Sequence, residues 1–224
     1  MEYLLYIHII AGFTGLTLFW IPALTRKGGN LHRKVGKIYV RFMWITVLSA
    51  FVLSVGNMME GRMVQGIFLG FIAMITANPL WYGMAVLQHK NGLSTAFVSR
   101  HLAFRGVIIL AACAMIIYGV LGVKSGSAIL LYIFGALGLT DLPRWLKEFR
   151  TRGGTKSWFS EHLIAMYTSG IAAFTAFLVF GANNYLNEVL SGYWAVVPWI
   201  LPTVIGTIAI IRSIKHWKAK GAIR

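Results

Sequence analysis

The chain has 224 residues, of which 58% are hydrophobic and only 12% charged, and it carries a formal net charge of +15. A soluble domain has about twice that share of charged residues, so a water-soluble globule is excluded. Nucleic-acid binding is excluded as well, because the basic stretches have no recognisable nucleic-acid-binding fold around them.

Apolar runs of about twenty residues recur from end to end, and each is long enough to cross a bilayer. They predict an all-α polytopic membrane protein forming a single domain over 1–224, with seven spans at 3–24, 37–57, 64–87, 102–122, 127–142, 162–182 and 193–213. Nothing basic precedes the first run and no small-residue cleavage pattern follows it, so it reads as a retained helix rather than a signal. His8 lies within this span, on a stripe with Gly12, Gly15 and Phe19. An ionisable side chain at depth faces the bundle interior, and the small residues beside it allow close approach of a helix or a planar ligand. The plainer reading of His8 is an interhelical hydrogen bond. Pro79 in "TANPLWYG" is expected to kink span three, and Pro198 and Pro202 in "VPWILP" span seven. Such kinks border cavities or mark irregular packing.

Nineteen of the 21 lysines and arginines, all but Arg62 and Lys124, lie in or beside the connections after spans one, three and five, or in the tail. The positive-inside rule then places the N-terminus outside and the C-terminus in the cytoplasm. The same charges are suited to anionic lipid at the cytoplasmic face, in a bacterial inner membrane. "TRKGG" (25–29) and "TRGG" (151–154) stand before spans two and six, an arrangement that would make spans one to three and five to seven a parallel repeat. Cys113 is the single cysteine, so neither an internal disulfide nor a thiolate cluster can form.

Three histidines share a local pattern. His32 follows Asn30, His101 follows Ser99 and His162 follows Ser160, each pair just before a long apolar run. Asn and Ser are good N-caps, so the three histidines are expected in the first turns of spans two, four and six, at one depth. The first turn of a helix presents unpaired N–H groups and partial positive charge. That field suits an anion or a neutral, metal-ligating imidazole. Arg33 and Arg105 would add charge for a phosphate, carboxylate or haem propionate, and Asp141 or Glu161 would supply a general base, a further ligand or its hydrogen-bond partner. A histidine simply tolerated at the membrane interface, beside a cap expected at any helix start, is the plainer reading of any one of them, and His89 and His216 read as solvated.

"YIHIIAGFTGL" followed by "RKGGNLHRKVGKIYVRFM" resembles the start of a family of uncharacterised bacterial multi-pass membrane proteins. "EHLIAMYTSGIAAFTAFLVF" resembles that family's late helix. The resemblance rests on His8, Gly12, Gly28, Gly29, His32, Arg33, Gly36, His162, Met166, Thr175, Ala176 and Phe177; the "SRHLAFRG" segment departs from the family pattern. It implies the architecture and the choice of histidines, and no reaction.

Two functions follow. In the first, His32, His101 and His162 ligate zinc or a b-type haem, with His8, Arg33 and Arg105 toward the cofactor and Glu161 or Asp141 as acid/base, in a membrane enzyme or redox protein. In the second, the same positive helix ends receive a lipid or small anion in a binding or transport protein. An assembly subunit with no site is a third possibility.

Overall fold

In a computed structural model, which describes residues 2–123, 128–151, 157–182, 186, 194 and 196–221, the chain is built of helices and turns, with no strand among those residues. In chain order the helices are α1 (Glu2–Leu24), α2 (Asn30–Met59), α3 (Met63–Ala85), a 3-10 turn (Val86–Gln88), α4 (Thr95–Gly122), α5 (Ala128–Leu139), α6 (Leu142–Thr151), α7 (Trp158–Ala176), a π-helical turn (Phe177–Gly181) and α8 (Val197–Ala219). Seven segments are long and apolar enough to cross a membrane, the fifth being Ala128–Thr151. The chain is thus an all-α, multi-pass membrane protein.

Several boundaries differ from the sequence expectation, for local reasons. The fifth segment runs on past 142, because α5 stops at Leu139 and α6 restarts the helix at Leu142. Thr140 N–H closes α5 on the Ala136 and Leu137 carbonyls, and the Asp141 carbonyl accepts from Trp145 N–H to open α6, with Pro143 in its first turn. Helix α4 begins seven residues earlier than expected, at Thr95, where Ser94 Oγ accepts from Phe97 N–H (3.3 Å). Ser99 and His101 therefore stand in the second turn, and Ser99 is not the cap. At α7 the N-cap is Ser157, and Ser160 donates its hydroxyl to the Ser157 carbonyl (2.9 Å). Asn30 does open α2, and its Oδ1 accepts from Arg33 Nη2 (2.8 Å). Of the second Gly-Gly stretch, residues 152–154 lie outside the described residues, as does Lys124.

The chain divides into two compact units. The first comprises Met1–Ala11, Met43–Asn78 and Asn91–Lys156; the second comprises Gly12–Phe42, Pro79–Lys90 and Ser157–Arg224.

In the first unit α4 packs closely along α5 through glycine. A Cβ on Gly135 would lie 3.0 Å from the Ala112 carbonyl oxygen, and one on Gly138 would lie 2.8 Å from Ala112 Cβ. Bilayers offer helices no hydrophobic drive to associate, so such close van der Waals approach carries the packing. Phe68 meets Phe134 edge to face at 4.7 Å, and Ser54 Oγ donates to the Gly66 carbonyl (2.7 Å). A charged cluster joins α4 to the α5–α6 break. The buried Arg105 guanidinium grips Asp141 through two hydrogen bonds (2.6 and 2.9 Å) and Glu148 through a third (2.6 Å), and Arg144 Nε reaches Glu148 (2.9 Å). Trp145 Nε1 donates to the Leu102 carbonyl across the same joint (2.8 Å).

In the second unit the aromatic ring of Phe19 contacts Trp20, Tyr39, Tyr167 and Phe174, with centroids 5.7 to 6.1 Å away. Gly170 on α7 leaves room for that ring, and Gly206 on α8 for Ile171. Tyr39 and Ser169 share a buried hydroxyl hydrogen bond of 2.8 Å between α2 and α7.

The ion cluster makes a stability prediction. Arg105→Met leaves the buried Glu148 (7% exposed) without its buried partner, with Arg144 still at 2.9 Å, and removes both hydrogen bonds to Asp141, at a cost of about 3 kcal/mol. Adding Asp141→Asn and Glu148→Gln removes the carboxylate charges left without Arg105 and restores most of the loss. Denaturant unfolding of the detergent-solubilised protein reads both; a loss under about 1 kcal/mol for Arg105→Met would show that the cluster is idle.

Candidate functional site

The second unit contains a cavity of about 420 Å³, within the range of small-molecule sites. Its walls come from the end of α1, the start of α2, the end of α3 and the start of α7. This is the region where chain direction reverses, and Gly28 (φ +76°) takes the left-handed conformation that the α1–α2 turn needs.

Two helix ends shape it. The last-turn carbonyls of a helix have no N–H of their own to accept from. At the end of α1, Lys27 Nζ donates to the Pro22 and Ala23 carbonyls (2.8 and 2.6 Å), and His32 Nδ1 donates to the same Pro22 oxygen (3.0 Å). At the end of α3, where the helix tightens into its 3-10 turn, His162 Nδ1 donates to the Gly83 carbonyl (2.6 Å). A carbonyl only accepts, so each ring carries its proton on Nδ1, and the neutral ring then bears a lone pair on Nε2. Neither ring makes another hydrogen bond among the described residues. Their centroids are 6.4 Å apart with planes at 75°, and both line the cavity.

The lining is sharply amphipathic. Phe19, Tyr39, Leu87, Trp158, Phe159, Leu163, Met166 and Tyr167 make apolar walls, with Tyr39 and Leu163 buried at their base. Lys27, Arg33, Lys37 and Lys90 are its cations, and no aspartate or glutamate is in the lining. Lys90 Nζ lies 5.2 Å from the Trp158 ring centroid and Lys27 Nζ 5.9 Å from that of Tyr167, both within cation–π range. Arg33, Lys37 and Lys90 are exposed, while Lys27 is half-buried.

The candidate residues named from sequence divide between the two units. His32, His162 and Arg33 line the cavity. Glu161 is in the same unit but not in the lining; it is buried and accepts from Tyr82 Oη (2.8 Å). His8, His101, Arg105 and Asp141 belong to the first unit. His8 Nδ1 there lies 3.1 Å from the Thr46 carbonyl oxygen and 3.0 Å from Ser49 Oγ, the interhelical bond that was its plainer reading. Arg105 and Asp141 hold each other, and His101 is buried. Among the described residues no group of three His, Cys, Asp or Glu side chains is placed to hold one metal ion.

The sequence pattern ties the lysines to topology and to anionic lipid, and it does not single out Lys27, Lys37 and Lys90 as lining residues. It also missed the aromatic walls. A signal was present: Gly36 and Tyr39 follow His32 by four and seven residues, one stripe of a helix. Phe159 and Met166 flank His162 in the same way.

The fold and the cavity together define a helical multi-pass membrane protein with a cation-bearing, aromatic-walled pocket. Comparison of the chain with protein-family models, with curated proteins and with solved structures finds no match.

Burial disfavours the charged form of Lys27 and holds its amine below the ordinary lysine value of 10.5. Between the depressed value and 10.5, the folded chain binds fewer protons than the unfolded one, so this lysine makes stability rise with pH across that window. Lys27→Met removes this contribution to the slope, whatever it does to the overall level. Unfolding free energies measured as pH approaches 10.5 in both proteins check it; identical slopes would refute the assignment.

Proposed function

We propose that the second unit binds an amphipathic anion, a molecule with a carboxylate or phosphate head on an apolar body. The observation that carries this reading is the charge asymmetry of the cavity, which has four cations and no carboxylate in a lining otherwise dominated by aromatic and aliphatic side chains. An uncharged lipid would leave the cations without use. A small hydrophilic anion would leave the aromatic walls without use.

Helix length supports a position at the membrane surface. At 1.5 Å per residue, the 30 residues of α2 extend about 45 Å, beyond a hydrocarbon core of about 30 Å. Arg33, Lys34, Lys37 and Arg41 are the part of α2 that hydrocarbon would not accept. A head at this level meets water and cations, and a tail runs inward along Phe19, Tyr39 and Leu163. Six of the residues that carry the resemblance to the uncharacterised family, Gly28, His32, Arg33, Gly36, His162 and Met166, also line the cavity.

The test is native mass spectrometry or equilibrium dialysis of the full chain in neutral detergent, with oleate, dioleoyl phosphatidic acid and oleyl alcohol as probes. The two anions are expected to bind at least about tenfold more tightly than the alcohol, equivalent to ~1.4 kcal/mol. The double variant Arg33→Gln/Lys37→Gln should remove most of that preference, since each charge-assisted hydrogen bond is worth about 1.5–3 kcal/mol. Equal retention of alcohol and anions, unaffected by the double variant, would overturn the reading.

A further inference from the structure

The two histidines are not needed to hold an anion's head, which four cations already serve, and their Nε2 atoms have no protein partner among the described residues. We infer that His32 and His162 are the paired axial ligands of an iron porphyrin, with the porphyrin's carboxylates among Lys27, Arg33, Lys37 and Lys90. This inference rests on the amphipathic-anion reading, because haem is one such anion: a flat apolar body with carboxylates along one edge.

Three observations converge on it. The first is tautomer control. Each Nδ1–H is tied to a helix-end carbonyl, at 3.0 Å for His32 and 2.6 Å for His162, which fixes ring orientation and leaves Nε2 as the donor atom for a metal. Ligating histidines carry this kind of support almost always.

The second is separation. A metal–nitrogen bond of about 2.0 Å added to the ~1.1 Å radius of a ring with ~1.33 Å bonds sets each centroid about 3.1 Å from the metal. Rings on opposite sides of one metal atom are therefore about 6.2 Å apart, and rings sharing a tetrahedral site about 5 Å apart. The observed separation is 6.4 Å, within a few tenths of an ångström of the spacing of opposed ligands and well above that of a tetrahedral pair. Zinc would ask for a third protein ligand, whereas haem takes its two axial ligands from the protein and its four equatorial ones from the porphyrin. His101 belongs to the first unit and is not required.

The third is the surrounding chemistry. Phe19, Tyr39, Phe159 and Met166 offer apolar and aromatic faces to a macrocycle. Gly83, beside the ring it anchors, lies so close to α7 that an added Cβ would come within 3.0 Å of Ala165 Cβ. The anchoring carbonyl and the helix bearing His162 are thus held together by packing, so the ligand position does not depend on the hydrogen bond alone.

The experiment uses the full chain in mild detergent, titrated with ferric haem and, separately, with metal-free protoporphyrin. Ferric haem should give a six-coordinate low-spin spectrum and bind more than about tenfold tighter than the metal-free ring, the lower bound for losing support at a metal site. His32→Ala and His162→Ala should each give a high-spin, five-coordinate spectrum, and added imidazole should restore the low-spin form, which a misfolded variant would not do. Oleate binding by each variant gives an independent check of folding. If the metal-free ring binds as tightly and neither substitution changes the iron spectrum, axial ligation is overturned while the amphipathic-anion reading stands. If neither porphyrin binds but oleate does, haem is excluded as the ligand. If oleate and both porphyrins fail together, the underlying reading has failed too.

Discussion

The last turn of a helix leaves carbonyls with no amide to accept from, and burial takes away the water that would otherwise serve them. At the ends of α1 and α3 this need is met by side chains from other segments. Lys27 and His32 satisfy Pro22, Lys27 alone satisfies Ala23, and His162 satisfies Gly83. The rest of the second unit's cavity depends on these bonds. They fix two imidazoles at a definite separation, draw a lysine against the end of α1, and turn the remaining ring nitrogens over to whatever the cavity holds. Local backbone necessity and ligand chemistry are met by the same side chains.

The two units treat charge in opposite ways. In the first, two arginines and two carboxylates pair around the α5–α6 break, and the desolvation of the buried Arg105 and Glu148 is offset inside the cluster. In the second, the cavity gathers cations without any acid. A neutral, closed cluster stabilises a joint and has little left to offer a ligand. An unneutralised set of cations on aromatic walls gains from an incoming anion. Counting basic residues along the chain does not separate these cases, because Arg105 and Arg33 look alike until their partners are known.

Architecture was legible in the sequence because hydrophobic length is a one-dimensional property. All seven membrane-length segments lie where apolar runs predict them. Ends were less legible. Ser99 and Ser160 resemble caps, but Ser94 and Ser157 stand earlier in the chain and take that role, so two of the three cap-and-histidine patterns were coincidences of spacing. His32 and His162 nevertheless share one cavity, each near the start of a helix that follows a turn of the chain. What sequence could not supply was partnership. Nothing local in "SRHLAFRG" shows that Arg105 answers Asp141 and Glu148, 36 and 43 residues onward, and nothing in "YIHII" separates a ligand from the hydrogen bonds His8 makes with Thr46 and Ser49.

The Arg105 cluster also bears on how the protein is made. The segment Ala128–Thr151 contains Asp141, Arg144, Lys147, Glu148 and Arg150, a charge load that resists entry into a bilayer by itself. Synthesis runs from the N-terminus, so α4 and its arginine emerge before the two carboxylates that it binds. Pairing with that arginine offsets part of the charge that the fifth segment carries. The glycines at 135 and 138 let the two helices close on one another around that pairing.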